Sequence, residues 1–452
     1  MELMTLLFLQ LGFMAVGALA AIVLGVKGKL EIISLSYLLG SSIISLLFFL
    51  FHWWFKLGLD SLNFILTFII SLTGLFLWLL FTKKTSVMAQ FFNWDIRKRW
   101  QKLLKIERIV LLVILTLIGY SFFENYFWPI TDWDALAFYD FRARIIALRG
   151  SMIEGIQLGY FFQYPPYTSL LHVFGYLFGV QRVKVAYSFI YASMLMLFYT
   201  LLRKKQDRTI SGIATLILAS STMIFEHAVT AYSNLPYTAF FALGMIYLWF
   251  YMRRGLRQDL ILGGLLIGFS TWVRSTEPFW LVALFPLAWG YYKHRSHLLL
   301  ITLLAFWLSL PDRLWRQFLS YLDSLSPLSL FEAQTHTITA IKEFITQGDG
   351  LGVLLIHAWQ VSTYLIQILI PEFFLLFLLF LFTVSYNAKR GLPELISLIL
   401  LFAIVWGGTF IFSFTWETWN VIAGSIIRMC MIFIPLLIFA TATDLQYQKE
   451  TK

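Results

Sequence analysis

IVLLVILTLIGYSFFENYFWPITDWDALAFYDFRAR, residues 109–144, contains both features that decide the fold. The first part, 109–127, is predominantly apolar and long enough to cross a hydrocarbon core about 30 Å thick. The part that follows, 127–144, holds three carboxylates and two guanidiniums, in a chain where only 13% of residues are charged. A span that runs straight into a polar cluster places chemistry at a membrane surface.

The rest of the chain has the same character. Of its 452 residues 60% are hydrophobic and 18% aromatic, far from the composition of an ordinary globular domain. Apolar stretches recur from end to end, beginning at 3–24, so none reads as a lone cleavable signal peptide before a soluble domain. The single cysteine, Cys430, lies in an apolar segment, which excludes a disulfide framework and a cysteine metal cluster. A net charge of +10 could suggest nucleic acid as a partner. The basic residues sit between spans, however, as orientation signals do, so no nucleic-acid partner is expected.

The expected fold is all-α, a polytopic transmembrane helical bundle of about 13 spans. They fall at 4–24, 32–51, 62–81, 109–127, 183–202, 210–225, 236–252, 260–273, 278–292, 298–310, 368–387, 392–414 and 421–440. With the N-terminus outside, 23 of the 34 Lys and Arg residues face inward, ten face outward, and Arg428 lies within a span. That orientation requires 160–179, which contains Tyr164-Pro165-Pro166, and 351–366, which contains His357 and Gln360, to lie on the outer face as interfacial helices. Residues 1–107 are read as three leading helices plus a basic cytoplasmic linker. Residues 108–452 form the core, with outer loops at 128–182 and 312–366. The chain is expected in a bacterial or archaeal plasma membrane with its site on the extracytoplasmic side.

Four groups of residues on that outer side could carry chemistry. Thr131-Asp132-Trp133-Asp134 has the spacing of a capping box opening a helix over 135–148, which accounts for Asp134 but not for Asp132 or Asp140. Asp132 and Asp134 are therefore the candidate catalytic acids. Arg428, in the outer third of the last span, is costly there unless it snorkels, pairs with Glu417 or meets an anionic ligand, and its fork suits a phosphate. Arg274 and Glu277 close one span and open the next; they either satisfy each other or shape the wall of the site. Glu226-His227 and Tyr232-Ser233-Asn234-Leu235-Pro236 join two spans outside, and Glu226 beside His227 is a weak signal for a metal or a proton relay. No phosphate-cradling glycine loop or nucleotide fingerprint is visible, so a donor substrate is expected to arrive through the lipid.

One reaction suits an outward carboxylate, an outward arginine and a lipid-facing cavity. A sugar on a polyprenyl phosphate carries its own leaving group, and the enzyme must supply a base for the acceptor hydroxyl and positive charge for the departing phosphate. Asp132 or Asp134 would be the base and Arg428 the phosphate clamp, with inversion at the anomeric carbon.

The order of Thr131-Asp132-Trp133-Asp134-Ala135-Leu136, Tyr164-Pro165-Pro166-Tyr167, Tyr232-Ser233-Asn234-Leu235-Pro236, Arg274-Ser275-Thr276-Glu277 and an arginine in the last span resembles the GT-C class of integral membrane glycosyltransferases. It is similar to the protein O-mannosyltransferases and the lipid A aminoarabinose transferases, over 108–440. The resemblance implies a polyprenyl-phosphate sugar donor and a lipid, glycan or protein acceptor. It further implies a catalytic acid in the first outer loop, matched by Asp132 and Asp134, and arginines on the donor phosphate, matched by Arg428 and Arg274. Tyr164, Glu226, His227, Asn234 and Glu277 are the expected substrate-binding residues. Members often have an acid just before the proline of the second outer loop, where this chain has Asn234. That departure moves the role to Glu226 or removes it, and leaves a divalent cation as an optional cofactor. A transporter or flippase of lipid-linked saccharides, or a surface-polysaccharide polymerase or ligase, is the alternative.

Overall fold

The computed structural model describes residues 2–82, 96–153, 164–275, 277–325, 350–386, 392–414 and 423–445. Among them every regular element is helical, and ten helices are long and apolar enough to cross a membrane. The count rises to eleven if Arg208–Ser220 and Thr222–Val229, bent by 61° at Ser221, form one broken span. The protein is an integral membrane helical bundle.

All thirteen segments expected to span contain helix, but two are not among those long and apolar enough to cross, the broken span included. Arg257–Val273 has 17 residues, and 278–292 is a five-residue 3-10 turn, Phe279–Ala283, followed by the ten-residue helix Leu284–Lys293. The separate interfacial helix expected at 351–366 is replaced by one 37-residue helix, Gly350–Tyr386, that carries Pro371 inside it. His357 lies inside it, its ring stacked on that of Phe414, just past helix Leu392–Ser413, with the ring centres 4.7 Å apart. The other such segment contains the ten-residue helix Tyr167–Tyr176, about 15 Å long and too short to span.

Asn234–Arg254 is the central helix. Its spanning window is wholly buried, and 21 residues at 1.5 Å each give it a length near 31 Å, enough to cross the hydrocarbon. It lies against Arg257–Val273 at Gly244 and Gly263: a Cβ on Gly263 would come within 2.9 Å of the Gly244 carbonyl oxygen. Small residues let helix backbones approach where lipid supplies no hydrophobic drive. The two leading helices, Glu2–Val23 and Lys29–Phe55, meet still more closely, with a Cβ on Gly17 falling 1.7 Å from the Ser36 carbonyl oxygen.

Lys29–Phe55 also packs against Val185–Leu202, so the leading helices are joined to the rest of the bundle. At the basic end of the central helix the buried Glu31 carboxylate accepts from Lys204 Nζ at 2.7 Å and Tyr247 Oη at 2.6 Å. Arg253 pairs with Glu394 and Arg254 with Asp259 nearby. Buried ion pairs of this kind fix register more than they add stability, because desolvation offsets much of the attraction. The candidate site lies at the other end, near Asn234.

Candidate active site

The acid motif opens a helix through an unusual turn. After Pro129 the chain becomes helical at Trp133, runs as a π-helix over Ala135–Asp140, and continues as α-helix over Phe141–Arg149. The wide turn, in which Phe141 N–H donates to Leu136 O, rotates side chains off the α-helical register, a device frequent at functional sites. It buries Tyr139 and Asp140 while leaving Asp132 and Asp134 half-buried.

The expected capping box does not form: Asp134 makes no cap hydrogen bond. Its Oδ2 instead accepts from Arg428 Nη1 at 2.9 Å, a contact spanning 294 positions of the chain. Arg428, on the short helix Ala423–Met429, also donates through Nη2 to Ser425 Oγ at 3.1 Å and lies 5.2 Å from the centre of the Tyr232 ring. The structure thus brings together the acid motif, the connection 230–233 and the helix that carries Arg428. Glu417, the other partner considered for Arg428, lies outside the described residues.

Asp132 has no side-chain hydrogen bond or ion pair among the described residues, although it lies within electrostatic reach of Lys184, His227 and Tyr232. Burial lowers the pKa of Lys184, whose ammonium donates to Pro129 O at 3.3 Å.

Arg274 and Glu277 satisfy each other. Arg274 donates three hydrogen bonds of 2.6–3.0 Å to the Glu277 carboxylate, and both side chains are 12% exposed. Burial alone would lower the arginine's pKa, but the adjoining carboxylate wins and raises it. Arg274 also covers the Tyr164 ring at 5.2 Å. Burial raises the pKa of Tyr164, and its phenol feels Arg274, Glu277, Asp134 and Arg428 together, so it stands between the two ion pairs.

His227 Nδ1 shares a 2.9 Å hydrogen bond with Met223 O, and its ring meets the Tyr232 ring edge-on at 5.9 Å. Its Nε2 is buried and has no partner among the described residues. Asn234 is buried at the start of the central helix, beside Ser233, whose hydroxyl is 2.7 Å from Tyr139 Oη. Burial pushes the Tyr139 phenol up to about 12, so it remains a proton donor at neutral pH. Glu226 is exposed, and no contact joins it to the Asp134–Arg428 pair. Among the described residues no three His, Cys, Asp or Glu side chains are grouped to hold a metal ion.

Asp140, which the sequence left unexplained, is held by three side chains. It is 1% exposed and accepts from Arg144 Nε at 2.8 Å, from His172 Nδ1 at 3.2 Å and from Tyr176 Oη. Burial works to raise its pKa, yet the bonds from His172, Tyr176 and Arg144 prevail and hold it below the usual carboxylate range. Next to it Arg142 is buried and donates to Ser169 Oγ and to the carbonyls of Tyr164 and Pro165. This second layer clamps the acid-motif helix onto Tyr167–Tyr176. The Asp140–Arg144 spacing of four residues was visible in the sequence; the partnership with His172 was not.

No family model, curated protein or solved structure matches the chain.

Proposed function

We propose that the protein is a membrane glycosyltransferase that moves a sugar from a polyprenyl-phosphate donor to an acceptor hydroxyl on the extracytoplasmic face. The observation that carries this reading is the Asp134–Arg428 ion pair beside the unpaired Asp132 carboxylate, at one end of a helical bundle. A cation anchored at headgroup depth matches a phosphate carried on a lipid, and a separate carboxylate matches a base.

In this reading the donor phosphate takes the Arg428 guanidinium from Asp134, so that Asp134 holds the fork in place while the site is empty. Asp132 removes the proton of the acceptor hydroxyl as its oxygen forms a bond to the anomeric carbon. The bond from that carbon to the phosphate oxygen breaks, and the phosphate departs with the electron pair against Arg428. Tyr232 and Tyr164 hold Arg428 and Arg274, respectively, 5.2 Å from their ring centres.

The test is release of polyprenyl phosphate from a panel of polyprenyl-phosphate sugars by the protein in vesicles. The reading requires wild-type release that Asp132→Asn abolishes, and equal release by the two proteins would contradict it. Movement of donor across the bilayer without release would make the protein a flippase.

A further inference from the structure

We infer that the basic end of the bundle holds a structural site for an anionic phospholipid, with one acyl chain between helices Lys105–Phe127, Val185–Leu202 and Arg208–Ser220. A cavity of about 350 Å³ opens there, at the far end of Lys105–Phe127 from the acid motif, and it is independent of the proposed reaction. Its wall on Lys105–Phe127 is the stripe Val110, Ile114 and Ile118, faced by Leu195 and Met196. Positions four apart lie along one face, so the stripe extends about 12 Å along the bilayer normal, the direction of an acyl chain.

Gly212 keeps the groove open. It lines the cavity, and a Cβ placed there would already press Val110 Cγ1 at 3.3 Å. A larger side chain would project into the space a chain would fill.

The charged groups of the lining all sit at one end of the cavity, since the Thr215 hydroxyl farther along is spent on Ser211 O at 2.7 Å, and the charge there selects the headgroup. Glu107, Tyr199, Arg208 and Thr209 form this mouth. Glu107 is already engaged, accepting from Leu104 N–H at 2.9 Å and from Thr209 Oγ1 at 3.2 Å. Arg208 is exposed and spends one Nη1 hydrogen on Lys102 O at 3.3 Å, which leaves other donors of its fork directed to water. The two segments that frame the mouth, 102–108 and 203–208, carry seven basic and two acidic residues. An apolar slot capped by that balance fits a fatty acyl chain ending in a phosphodiester. Basic groups at this depth favour an anionic headgroup by roughly fivefold per residue.

The experiment uses the full chain, delipidated in detergent and incubated with phosphatidylglycerol or phosphatidylcholine of identical acyl chains, with bound lipid counted by native mass spectrometry. Wild type is expected to retain phosphatidylglycerol about tenfold over phosphatidylcholine. Arg208→Glu should remove that preference, and Gly212→Leu should reduce retention of both lipids. Because Arg208 is exposed, its variant will fold even if Gly212→Leu does not, and it then carries the test alone. Equal retention of the two lipids by wild type, or a preference that survives Arg208→Glu, would overturn the inference.

Discussion

Arg428 Nη1 lies 2.9 Å from Asp134 Oδ2, which joins the last span to the first acid motif by a contact that neither segment could make alone. Both side chains are about one-third exposed, so water screens the pair and its value is positional more than energetic. It holds a planar fork over the Tyr232 ring and keeps that fork from folding away while no ligand is bound.

From this pairing follows a separation of roles. Asp132→Asn should lower transfer by two orders of magnitude or more, the scale of a lost general base, while leaving the affinity for polyprenyl phosphate within about twofold. Asp134→Asn removes the carboxylate that the phosphate must displace from Arg428 and should instead tighten that affinity, with a smaller loss of turnover at saturating donor. Steady-state kinetics on the two variants check this; a loss of turnover confined to Asp134→Asn would interchange the two acids.

The Arg274–Glu277 pair supports a different outcome. Glu277→Gln leaves a nearly buried guanidinium with a weaker partner, and removing half of such a pair costs on the order of 3 kcal/mol. The variant should unfold several degrees lower in a thermal-shift assay, with ligand affinity impaired only through Tyr164. A variant as stable as wild type would show that Arg274 finds another anion.

Asp140 makes a pH-dependent contribution. Its folded pKa is lowered, so its stabilisation is complete above its unfolded pKa near 4 and is lost as pH falls toward the folded value. Asp140→Asn should therefore lower the melting temperature at about pH 5 to 8, and the difference should shrink below about pH 4. A difference that keeps growing as pH falls below about 4 would contradict the His172, Tyr176 and Arg144 assignment.

At the basic end, Lys204→Met leaves the buried Glu31 carboxylate with Tyr247 alone and should lower the melting temperature. Adding Glu31→Gln should restore part of the loss. Additive losses in the double variant would mean that the two side chains are not coupled.

The membrane bundle was legible because runs of some twenty apolar residues admit few other structures. What the sequence missed is local: Pro278 is followed by a 3-10 turn in place of a full span, and 351–366 continues into the next helix. There the Lys and Arg asymmetry called for a segment that stays on the surface, whereas the helix runs on through it and His357 stacks on Phe414. Asp132, Asp134 and Arg428 could be picked out because each is expensive in an apolar setting. That Asp134 serves Arg428 and not a capping box could not be read from local spacing, since a tertiary partner 294 positions away decides it. Asp140 was passed over for the same reason: two of its three donors, His172 and Tyr176, come from another helix.

The most direct test of the central claim is binding of a polyprenyl phosphate to the detergent-solubilised protein, followed by native mass spectrometry for wild type, Arg428→Ala and Asp132→Asn. The account predicts a wild-type complex that Arg428→Ala loses and Asp132→Asn keeps. Absence of a complex with wild type, or one that Arg428→Ala retains at full strength, would contradict a phosphate at Arg428 and with it the proposed reaction.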